Sequence, residues 1–162
     1  MKKFLLLALL AVLALSLVAC SSIGNVEQTI EGQDYVGVDM SGDTELTPQQ
    51  DAIANAARGN YTRIRSIPVT DKNAKLYVWG IEPQTFMEMT NPNYAIVVEF
   101  SSRDALLREL NDNADFRAIA EEVVGDGDVK TLVYEKGAAV DNCFIYAKGA
   151  KAKDLYQLLA AK

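Results

Sequence analysis

The run Tyr94-Ala95-Ile96-Val97-Val98-Glu99-Phe100 constrains the fold of this 162-residue chain more than any other stretch. It is almost wholly apolar and rich in β-branched residues, which suits a strand at the centre of a sheet. Strand and helix patterns alternate on either side of it. Tyr35-Val36-Gly37-Val38-Asp39 reads as a short strand closed by the Ser41-Gly42-Asp43 turn cluster. Thr47-Pro48-Gln49-Gln50 supplies a capping hydroxyl, a proline for the first helical position and a glutamine that completes a capping box. The helix it opens is expected to run through Ala52, Ile53, Ala56 and Ala57 and to stop at Gly59-Asn60.

Tyr61 to Val69 and Lys75 to Ile81 alternate as two strands, and Thr70 to Asn73 can join them as an antiparallel hairpin. Pro83 to Thr90 is a short helix. Ser101 or Ser102 opens a helix through Leu106, Leu107 and Leu110, the Asn111-Asp112-Asn113 cluster interrupts it, and Phe116, Ile119, Ala120 and Val123 mark one face of a second segment. After the Gly125 to Asp128 turn, Lys130 to Glu135 and Asn142 to Lys148 read as strands. Lys151 to Ala160 closes the chain as an amphipathic helix. The order is βαββα twice over. The expected class is α+β, a mainly antiparallel sheet with helices packed on it, either ferredoxin-like or a duplicated βαββα unit. Glu99-Phe100-Ser101-Ser102-Arg103-Asp104-Ala105, with Asp115-Phe116 later, resembles small dimeric ferredoxin-like proteins, over less than a third of the chain and without a catalytic signature.

The first twenty residues give an address. Lys2 and Lys3 precede an apolar run from Phe4 to Ala19, sixteen residues long against the roughly 20 needed to cross a bilayer. The run ends in Leu17-Val18-Ala19-Cys20, which resembles the lipobox of bacterial lipoproteins. That resemblance implies a diacylglyceryl group on the Cys20 sulfur, acyl chains such as palmitate, and cleavage just before Cys20. The expected layout is a cleaved signal peptide over 1–19, a lipid-anchored flexible linker over 20–33 and one globular domain over 34–162. Ser21 and Ser22 follow the cysteine, and the absence of Asp there implies the periplasmic side of the outer membrane in a two-membrane host. In a single-membrane host the same signal implies the outer face of the plasma membrane.

Charge and composition exclude several classes. The net charge of −6 grows more negative once Lys2 and Lys3 leave with the signal, which argues against nucleic acid as a partner. From Ser21 to Thr47 there are six acids, Glu27, Glu31, Asp34, Asp39, Asp43 and Glu45, and no Lys or Arg. Such a stretch suits a solvated tether, or a docking segment for a partner. The chain has no histidine, which removes Ser-His-Asp and Cys-His nucleophile systems and the common zinc sites. Glu121 and Glu122 project about 100° apart on a helix, poor geometry for a cooperating pair. Asp126-Gly127-Asp128 lacks the remaining ligands of a calcium loop and reads as a turn. Neither a metal nor a cofactor is expected, and no catalytic residue is assigned. Beyond Cys20 the only cysteine is Cys143, which strand alternation groups with Ile145 and Ala147 on one face as a buried small hydrophobe.

One constellation points to binding. In the expected hairpin Tyr61, Arg63 and Arg65 share one strand face, Lys75, Tyr77 and Trp79 share another, and register brings Arg65 within cation-π reach of Trp79. A face of Arg, Lys, Tyr and Trp on an acidic protein suits a protein partner or a wall component. The sequence therefore predicts an envelope protein, membrane-bound through its N-terminal lipid and working as a binding or assembly module. A small carboxylate-dependent enzyme and a structural homo-oligomeric subunit are the alternatives.

Overall fold

A computed structural model describes residues 22–161, so the expected signal peptide over 1–19 and Cys20 lie outside the described residues. The fold is α+β: the described residues form seven helices and five strands, every paired strand antiparallel to its neighbour. In chain order these are α1 (Ser22–Glu31), β1 (Tyr35–Gly37), α2 (Pro48–Ser66), β2 (Lys75–Ile81), α3 (Phe86–Thr90), β3 (Tyr94–Glu99), α4 (Arg103–Asp112), α5 (Ala114–Val124), α6 (Val129–Glu135), β4 (Ala139–Val140), β5 (Cys143–Lys148) and α7 (Ala152–Ala160). The sheet order is β1-β2-β3-β5-β4, which puts β3, the apolar run from Tyr94, at its centre. All of Tyr94 to Val98 is buried, because helices cover both faces of the sheet.

Alternation along the strands divides the interior in two. Val78, Ile96, Val98, Phe144 and Tyr146 point to one side, where Ile53, Ala57 and Ile64 of α2, Leu106 and Leu110 of α4 and Phe116 of α5 meet them. Trp79, Ala95, Val97, Cys143, Ile145 and Ala147 point to the other, against Val26 and Ile30 of α1 and Leu155 and Leu159 of α7. Cys143 thus shares its face with Ile145 and Ala147, fully buried.

Three expectations are corrected. Tyr61 to Val69 is no strand; α2 continues through Gly59 to Ser66, with Thr47 and Gln50 forming the capping box at its start. Ile53, Ala57 and Ile64 recur at helical spacing and are buried, and this burial outweighs the roughly 1 kcal/mol that a mid-helix glycine costs. The helix ends where Pro68 forces Ile67 into extended backbone, φ −68° and ψ 125°. Lys130 to Glu135 is likewise helical, α6, with Val129 and Val133 one turn apart and both buried. Neither half therefore forms βαββα. The sheet is not ferredoxin-like either, because β1 lies antiparallel beside β2, whereas a ferredoxin βαβ unit joins parallel strands.

The third correction concerns the linker expected over 20–33. Ser22 to Glu31 is α1, and its Val26 and Ile30 are wholly buried against the sheet. Ile23, Val26 and Ile30 recur at helical spacing, so this segment has an apolar stripe to bury and belongs to the domain.

Candidate binding cleft

The mismatch between a three-residue β1 and a seven-residue β2 leaves one sheet edge open. The two strands are last joined by the Val38 N–H, which donates to the Val78 carbonyl at 2.8 Å. Asp39 turns the chain away at that point, its carboxylate accepting the Ser41 N–H at 2.8 Å. Hydrogen bonds from the Thr44 side chain and from Ser41 hold this carboxyl below its ordinary pKa, so the turn keeps its charge in mildly acidic solution. Among the described residues, Lys75, Leu76 and Tyr77 therefore have no strand beside them on this side. Burial follows the cover: Lys75 is exposed, Leu76 and Tyr77 are half-buried, and Val78, Trp79 and Gly80 are buried. Because backbone polar groups alternate sides along an antiparallel strand, Leu76 directs its N–H and C=O toward the same edge as Val78.

A cleft of about 830 Å³ follows this edge. It has two walls, one on each side of the sheet plane. Glu27 and Glu31 of α1 stand with Tyr77 and Trp79 on the first; Tyr61, Ile64 and Arg65 of α2 stand with Leu76 on the second. Met40 and Ser41 complete the lining from the loop after β1. The Tyr77 and Trp79 rings lie 5.6 Å apart, tilted by 35°. Gly37 pairs with Trp79 across the strands, and a Cβ at that position would rest 3.8 Å from the indole Nε1, in ordinary contact with the buried ring. The Tyr77 hydroxyl donates to the Glu99 carboxylate at 3.1 Å. Burial, then that bond, then the negative charges of Glu99 and Glu27 raise the phenol pKa, which keeps Tyr77 a neutral ring.

Of the six residues expected to form one basic and aromatic face, Tyr61, Arg65, Tyr77 and Trp79 line this cleft. They arrive there from a helix and a strand, not from a hairpin. Tyr61 and Arg65 are one turn apart on α2 and face Trp79 from the opposite side of the sheet, so the expected contact of Arg65 with the Trp79 ring is not formed. Lys75 is exposed at the start of β2, beside the cleft. Arg63 projects elsewhere. Its guanidinium grips both oxygens of Glu122 at 2.6 and 2.8 Å and stands 5.8 Å from the centre of the Tyr146 ring. Asn60 continues that cluster by donating to the Tyr94 hydroxyl at 2.7 Å. Glu122 thus joins α5 to α2.

The acidic wall is the part that the aromatic and basic pattern did not reveal. Its signal was present in the stretch from Ser21 to Thr47 with six acids and no base, three of which, Glu27, Glu31 and Asp39, line the cleft. Comparison with profiles of protein families, with curated proteins and with solved structures finds no match to this chain.

Proposed function

We propose that this chain is a lipid-anchored cell-envelope protein whose work is binding, and that the cleft beside β2 holds a protein or wall component close to the membrane. The observation that carries the reading is the cleft itself. Its volume lies in the range of specific ligand sites, its aromatic pair is recessed and its charged side chains stand at the rim, the usual composition of a recognition surface. The N-terminal lipid on Cys20, in the outer membrane facing the periplasm for a two-membrane host, supplies the address.

Two measurements test this. Intact mass of protein extracted from membranes should show an acylated Cys20, and Cys20→Ser should remove the acyl mass and release the protein from the membrane fraction. Affinity capture from detergent-solubilised envelopes should yield one reproducible partner with wild type. Arg65→Glu combined with Glu27→Arg should lose it while keeping the wild-type circular dichroism. Phe86→Ser on α3, a side chain 81% exposed and outside the cleft, should retain it. Equal capture by the cleft variant removes the cleft from the reading.

A further inference from the structure

We infer that the occupant of the cleft is an extended segment of a partner protein that adds a strand to the open edge of β2, with basic residues on one of its faces and apolar residues on the other. This rests on the binding role proposed above and names the chemistry of the partner.

Three observations converge. The first is the backbone. Leu76 turns its N–H and C=O to an edge where, among the described residues, no strand lies, and an incoming strand satisfies these groups by pairing with them. Lys75 to Tyr77, before the strand pair closes at Val78, offers about 10 Å of edge, enough for three residues in register. The second is the position of the cleft on both sides of the sheet plane. A strand sends successive side chains to opposite faces, so an added strand fills both walls at once, as a compact ligand lodged on one side cannot.

The third is the chemistry of the walls. On the α1 side Glu27 and Glu31 are one helical turn apart and both exposed, and they stand over the Tyr77–Trp79 pair. Two exposed carboxylates beside the half-buried Tyr77 ring, which Trp79 backs from the interior, suit a Lys or Arg side chain, which gains a charge partner and a cation-π contact with Tyr77 together. On the α2 side Met40, Ile64 and Leu76 offer an apolar surface to the alternate side chains. Arg65 at that rim disfavours a second basic position there, which fixes the face on which the basic residues lie.

Trp79 is the only tryptophan, so its emission reports on this site alone. The test uses the folded protein and a blocked eight-residue peptide of alternating valine and lysine. Binding should shift Trp79 emission and move the amide resonances of Val38, Leu76 and Tyr77. Replacing lysine by glutamate, placing the same residues in two blocks, or N-methylating alternate amides should each weaken binding about tenfold or more. Glu27→Gln with Glu31→Gln should weaken the lysine peptide several-fold and leave a valine–serine peptide unchanged. An N-methylated peptide that binds as tightly as the parent overturns strand addition, even where cleft variants still lose the envelope partner; the binding role then stands without it. Failure of every peptide together with unaltered partner capture by the cleft variant overturns both. A mass that doubles with concentration while the Leu76 amide signal moves assigns the edge to a second copy and overturns the inference.

Discussion

Glu109 accepts the backbone N–H of Thr70 at 2.7 Å and is bonded by the Thr70 hydroxyl as well, tying the loop before β2 to α4. It is the one charged side chain buried among the described residues, 1% exposed. Burial pushes its carboxyl pKa up, and hydrogen bonds from Thr70, Asn113 and Asp71 outweigh that push and hold it below the ordinary value. A carboxyl whose pKa is lower in the folded state stabilises the fold above the unfolded pKa, and this contribution is lost as pH falls through the folded pKa. Urea unfolding should place Glu109→Gln about 1–3 kcal/mol below wild type at pH 7. The gap should narrow as pH falls below about 5. A gap that stays constant down to pH 3 contradicts the assignment.

Arg63 and Glu122 form a two-pronged pair, but their side chains are 43% and 40% exposed. Solvent screens such a pair, so a double-mutant cycle with Arg63→Ala and Glu122→Ala should return a coupling of under about 1 kcal/mol. Arg63→Glu sets two carboxylates against each other and should lower the urea midpoint. It should leave cleft binding intact, whereas Arg65→Glu, two residues along the same helix, should alter binding and leave the midpoint nearly unmoved.

Gly59 lies inside α2 with open space where a Cβ would stand. Gly59→Ala removes the entropic cost of a helical glycine and meets no neighbour, so it should stabilise the fold by about 1 kcal/mol. Thermal unfolding should move up by about 2–4 °C. A lower midpoint would mean that α2 is not continuous through this position.

Gly137 follows α6 with φ 72°, and a Cβ there would come within 2.0 Å of the Tyr156 carbonyl oxygen and 2.6 Å of the Ala160 nitrogen. Both contacts are with the backbone of α7, which cannot swing aside as a side chain would. Gly137→Ala should cost about 2–4 kcal/mol, read as a fall in the urea midpoint. Retention of wild-type stability would place α7 farther from this turn.

Local signals of strong type carried much of the fold. Thr47 caps its helix as expected, Ser102 is the one of the two candidate serines that opens the next, and Asn113, read only as an interruption, caps the helix after it; β3, β5 and α7 lie where composition and periodicity put them. The readings that failed were short runs in which two periods fit at once. Tyr61-Thr62-Arg63-Ile64-Arg65 alternates as a strand should, yet Ile64 also continues the buried face of Ile53 and Ala57, and only tertiary packing decides between the two. The site was legible in part for the same reason. Tyr77 and Trp79 share a strand face as alternation requires, whereas Tyr61 and Arg65 reach the cleft because residues four apart share a helix face. Glu27 and Glu31 escaped because their segment was read as a tether, although its own helical stripe of Ile23, Val26 and Ile30 was there to be counted.

The docking of α1 on the sheet governs how far this protein can reach. Only Ser21 separates Cys20 from the first residue of that helix, a span of about 7 Å even when fully extended. If Cys20 is acylated as proposed, the domain would have almost no leash and would ride flush with the bilayer, turning about one point. Its catch would then be confined to a thin layer at the membrane surface, where two-dimensional diffusion and surface density, more than concentration in the surrounding compartment, would set how often a partner is met.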